Sequence, residues 1–150
     1  MKNEIIDALK QNRLLRNQKE IRIFENALER LAFDYSEDDI AEICEIFDDD
    51  TNDTEVMFGM VHLLETISTK KAYLNTIYGI VSMYKKAPEW AKTILYRCLN
   101  DDCSVEMIKQ LYTNLPQKIK ISFSEILETI KNEDKDMFGD AIDRIMFGTN

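Results

Sequence analysis

Apolar residues recur at helical spacing along almost the whole chain. Ile5, Ile6 and Leu9 outline a short first helix, and Ile21, Phe24, Leu28 and Leu31 outline a second reaching about Phe33, with Leu14 and Leu15 allowing the two to run together. Ser36 followed by Glu37, Asp38 and Asp39 is a helix start, because a side-chain oxygen satisfies orphan amides and acids suit the positive end of the macrodipole. The core stripe of that helix is Ile40, Ile43, Cys44 and Phe47, at i, i+3, i+4 and i+7. After a loop from Asp48 to Asp53, Asp53 or Thr54 caps a helix carrying Met57, Met60, Val61, Leu64 and Ile67. The next begins near Ser68 or Thr69 and runs through Tyr73, Ile77, Ile80, Val81 and Tyr84. Pro88 opens a helix with Trp90, Ile94, Leu95 and Cys98, since a first turn tolerates the missing N–H. Asn100 and Asp101 turn the chain into a helix with Val105, Ile108, Leu111 and Tyr112, which Pro116 stops. Ile119 to Ile130 and Met137 to Phe147 supply the last two.

This pattern predicts an all-α domain spanning residues 1–150, with about eight or nine helices joined by the short connections of antiparallel hairpins. Successive pairs have the length of helical-hairpin repeat units, but no repeating signature accompanies them. The two architectures compatible with the pattern are a short HEAT-like stack and an irregular helical bundle. Composition points the same way. Only 4 Gly and 2 Pro leave little material for hairpin turns or phosphate-cradling loops.

Charge changes the picture more than hydropathy does. The net charge of -9 repels polyphosphate, and the basic residues are too dispersed for a nucleic-acid footprint. No apolar run approaches signal-peptide or membrane-spanning length. Cys44, Cys98 and Cys103 are an odd number scattered over predicted helices, which suits a reducing cytoplasm better than a disulfide framework.

The acidity is one block. Between Arg30 and Lys70 there is no Lys or Arg and there are twelve acids, so the remaining 16 acids face all 19 Lys and Arg and the rest of the chain is net positive. On the helix whose core stripe is Ile40, Ile43, Cys44 and Phe47, the acids Asp38, Glu42, Glu45 and Asp49 fall at i, i+4, i+7 and i+11 on the opposite face, a solvent-facing negative ridge. Like-charge steps of this kind cost a helix on the order of 1 kcal/mol together, and Glu45, Asp48, Asp49 and Asp50 crowd the end where the macrodipole disfavours them. One reading is a solvated face that keeps the protein soluble; the other is a docking surface for a cationic partner.

Catalytic chemistry is poorly provided for. Asp48, Asp50 and Asn52 match the first, third and fifth positions of a calcium loop, but Asp53 stands where Gly is needed and Gly59 where Glu is needed. Asn132, Asp134, Asp136, Asp140 and Asp143 repeat the partial spacing, but Met137 occupies the Gly position and the stretch reads as a helix start. His62 is the only histidine, so a two-histidine zinc motif is excluded, and a Cys-His pair would have to form across helices. Arg97 reads as a helix-end residue hydrogen-bonding last-turn carbonyls or pairing with Glu89 or Asp101. The expectation is a protein that is not an enzyme and uses no metal or other cofactor.

From Glu55 through Asn100 the chain resembles the immunity protein 30 family of bacterial polymorphic toxin systems. The resemblance rests on Met57-Phe58-Gly59, on Val61-His62-Leu63-Leu64-Glu65, on Ala87-Pro88-Glu89-Trp90-Ala91 and on Arg97-Cys98-Leu99-Asn100-Asp101. It implies a small all-helical cytoplasmic protein, encoded beside a toxin, that binds the toxin's catalytic domain and blocks it. Combined with the charge, it leads to a basic toxin partner, a nuclease, since a surface built to attract phosphate also attracts carboxylates. The candidate toxin-binding residues are Asp38, Glu42, Glu45, Asp49, Asp50, Asp53 and Glu55, with Phe58 and His62 as a neighbouring anchor. No nucleic-acid or membrane partner is expected, and the oligomeric state stays open. The alternative is a helical-repeat adaptor with no toxin specificity.

Overall fold

The computed structural model describes residues 2–148, and among them it contains nine α-helices, one 3-10 turn and no strands. The helices are α1 Lys2–Gln11, α2 Gln18–Asp34, α3 Ile40–Cys44, α4 Thr54–Leu64, α5 Lys70–Met83, α6 Pro88–Leu99, α7 Asp102–Tyr112, α8 Gln117–Glu133 and α9 Lys135–Phe147. The 3-10 turn, Glu37–Asp39, leads directly into α3. Most starts follow from local capping. The side chains of Asp53, Thr69 and Asp101 accept the backbone N–H groups of Val56, Ala72 and Ser104, and Pro88 occupies the first turn of α6.

One open choice is decided and one expected element differs. Residues 2–34 form two helices and not a continuous one: α1 ends at Gln11, and past the turn that follows it Leu15 adopts a left-handed backbone (φ 51°) that redirects the chain. That conformation costs about 1–2 kcal/mol in a residue with a side chain. Burial of the Leu15 side chain offsets it, and the N–H of Asn52 donates to the Leu14 carbonyl at 2.8 Å, fixing the bend. Asn17 then starts α2 by accepting the N–H of Glu20, whose carboxylate accepts the N–H of Arg16.

The difference concerns the helix that was to carry the acidic ridge. It ends at Cys44 after five residues, although Ile46 and Phe47 continue into the core. The helix therefore keeps Asp48, Asp49 and Asp50 out of its last turn, where the macrodipole would oppose them, and leaves only Glu45 at its C-terminal cap.

The helices pack as a bundle around α5, which touches the 3-10 turn, α3, α6, α7 and α8. Of the two architectures compatible with the sequence, this is the bundle. On one side α1 packs on α2 and α2 on α4; on the other α9 closes against α6, α7 and α8. The core is a single cluster to which all nine helices contribute, with Phe24, Phe47 and Phe123 among its largest fully buried side chains. At the crossing of α3 and α5 the helices approach so closely that a Cβ on Gly79 would run into the Cys44 side chain. No helix among the described residues is long and apolar enough to cross a membrane.

Candidate interaction surface

The acids singled out in the sequence do not form one ridge: α3 stops at Cys44, which leaves Asp49 off the helix, and cations from other helices pair with Asp38 and Glu45. Asp38, in the 3-10 turn, lies 2.8 Å from the Lys71 ammonium of α5, which holds its carboxyl below the usual Asp range. Glu45, just past α3, pairs loosely with Lys10 of α1 at 3.7 Å. Asp34 and Asp39 share Lys2.

The loop acids act on backbone. Asp48 accepts the N–H of Asp50. Asp49 reaches across to α6, where its two oxygens accept the N–H groups of Glu89 (3.0 Å) and Trp90 (3.2 Å), capping a helix whose own Ala87 has no side-chain acceptor. Asp53 caps α4. Glu42, Asp50 and Glu55 are exposed and make no ion pair among the described residues.

Helix α4 has two working flanks. Toward α6, half-buried Phe58 packs edge-on against Trp90 (centroids 6.0 Å apart) and His62 (5.2 Å), and the Arg97 guanidinium sits 5.2 Å over its ring. Arg97 pairs not with Glu89 or Asp101 but with Glu65, its Nε and Nη2 donating to the two carboxylate oxygens at 2.5 and 2.8 Å. This two-point geometry fixes the Arg97 side chain and raises its pKa. A helical wheel alone did not reveal the pair, since it depends on α4 and α6 lying side by side. Toward α2, Glu55 and His62 line an open groove.

Nothing here resembles a catalytic set. Burial pushes the Cys44 thiol up to about 12, with the Glu45 charge adding to it, and burial pushes Cys98 up to about 12 as well; neither supplies a thiolate near neutral pH. His62 is exposed on α4, its ring against Phe58. The described residues contain no group of three or more His, Cys, Asp or Glu placed to hold a metal ion. The arrangement is a rigid helical scaffold presenting carboxylates and aromatic edges.

No curated protein and no solved structure matches the chain. The family described as immunity protein 30 matches residues 11–108, about two thirds of the chain, a span that includes all of α2 to α6 and most of α7. An all-helical scaffold with that match over most of its length belongs to the immunity protein 30 family.

Proposed function

We propose that this immunity protein, a non-catalytic toxin inhibitor, acts in the cytoplasm on a basic toxin domain, a nuclease, by covering the toxin's cationic surface with carboxylates. Family membership supplies the toxin partner. The observation that carries the finer reading is the acidic block: twelve acids and no base between Arg30 and Lys70, of which Glu42, Asp50 and Glu55 stay exposed without a cation. A nuclease must attract phosphate, and the same field draws in a carboxylate-rich inhibitor, speeding encounter and selecting the partner. Asp38, Glu45, Asp49 and Asp53 contribute to that field while holding the fold, and Phe58 and His62 stand beside it on α4.

The test is growth of cells expressing the C-terminal domain of the polypeptide encoded immediately upstream, with and without this protein. Rescue, with a stable complex whose association slows as salt rises, is the expected result. Rescue by a complex insensitive to salt would remove the electrostatic reading, and toxicity without rescue would reject that neighbour as the cognate toxin.

A further inference from the structure

Between α2 and α4 the surface opens into a groove of about 480 Å³. Its floor is apolar, formed by Leu28, Val56 and Leu63, and the two helices meet closely at Gly59, where a Cβ would stand 2.9 Å from Leu28 Cδ2. Its edges are carboxylates: Glu25 and Glu29 from α2 and Glu55 from α4. All three are exposed, and none forms an ion pair among the described residues, in contrast to Asp38, Glu45 and Glu65.

Glu25 and Glu29 are also an i,i+4 like-charge pair, an arrangement that weakens an isolated helix and that a bound cation relieves. One turn beyond Glu29, Phe33 stands 89% exposed at the end of α2. The other large exposed apolar side chains, Ile121, Met137 and Phe147, lie on α8 and α9, away from this groove. An apolar floor with uncompensated carboxylates on both edges, and an uncovered aromatic one turn further along α2, are the parts of an interface with a desolvated centre and a charged rim.

We propose that the α2/α4 groove is the docking site for a cationic amphipathic segment of the toxin, which lays an aliphatic or aromatic side chain on the floor and Lys or Arg side chains against Glu25, Glu29 and Glu55. This rests on the reading that the partner is a basic toxin domain, and it moves the centre of the interface from the loop acids to a surface half built by α2. Nothing in the groove has to open first, because the carboxylates stand exposed at its edges.

The experiment uses the full chain and the purified cognate toxin domain, with affinity and association rate measured at two salt concentrations. Two variants are compared with the native chain: the triple substitution Glu25→Gln, Glu29→Gln and Glu55→Gln, which removes the charges, and Ala32→Trp, which fills the groove from an exposed position. Melting curves accompany both, and Ala32→Arg, which repels a cation, replaces tryptophan if the latter unsettles the fold. The expected result is that each variant weakens binding about tenfold or more and that the triple variant also loses salt dependence. If the native chain binds and protects while either variant binds as well as the native chain, the groove is not the site and the immunity reading stands. If the native chain binds and protects with no dependence on salt, the basic-toxin reading and the groove proposal that rests on it fail together.

Discussion

Asp49 joins two parts of the chain forty residues apart through a single carboxylate. Its oxygens take the place of an N-cap for α6, so the loop after α3 and the start of α6 are held in register by the same two hydrogen bonds. Asp49→Ala should lower stability by about 1 kcal/mol, with Asp49→Asn losing less, as read from urea midpoints; an unchanged midpoint for alanine would mean that the cap is not formed in solution. Asp38 makes a prediction in the pH dimension. Lys71 holds its pKa below the ordinary value, first by hydrogen bonding and then by charge, so the stability this pair adds is complete above the ordinary Asp range and lost as pH falls through the lowered value. Lys71→Met should return the Asp38 carboxyl to its ordinary titration in an NMR series, and identical titration in both proteins would mean the ion pair does not persist.

At the scale of elements, the crossing of α3 and α5 is the tightest point described. Gly79→Ala improves helix propensity by about 1 kcal/mol in an exposed helix, but here the methyl meets Cys44 and overpacks the crossing. A net loss of about 1–2 kcal/mol is expected in denaturant unfolding; a gain would show that α3 can slide away freely. Helix existence and most starts were legible because they are local: Asp53, Thr69, Pro88 and Asp101 act within one turn of themselves. The end of α3 was not, because Ile40, Ile43, Cys44 and Phe47 keep helical spacing across a point where the backbone stops being helical. A readable sign lay in the acids themselves, since four of them at a helix C-terminus argue against the helix as much as for a function. The bend at Leu15 had no comparable local sign, because a left-handed Leu is imposed by core burial. Asn17 and Glu20, three apart, did mark the restart.

For the whole molecule, segregation of charge along the sequence is partly undone in space. Lys2, Lys10, Lys71 and Arg97, all outside the acidic block, fold onto it, and which acids they leave uncovered depends on which helices become neighbours. That is why composition pointed to an acidic surface without showing which carboxylates stay uncovered: Glu25 and Glu29, outside the block, are exposed beside the α2/α4 groove and make no ion pair among the described residues. The span matched by the family, residues 11–108, leaves out all but the last residue of α1, the end of α7, and α8 and α9, yet α8 lies on α5 and α9 on α6 and α7. Expressed alone, residues 11–108 should lose cooperative unfolding and bind a hydrophobic dye, whereas a sharp transition would make the later helices dispensable. The central position of α5 also has a consequence in time. During translation α5 is finished at Met83, but the helix that covers part of its apolar surface ends at Glu133, and at the usual speed of synthesis the intervening chain takes roughly 3–10 s to make. For that interval each nascent chain carries an unfinished core, with the part of α5 that α8 will cover still open to other chains.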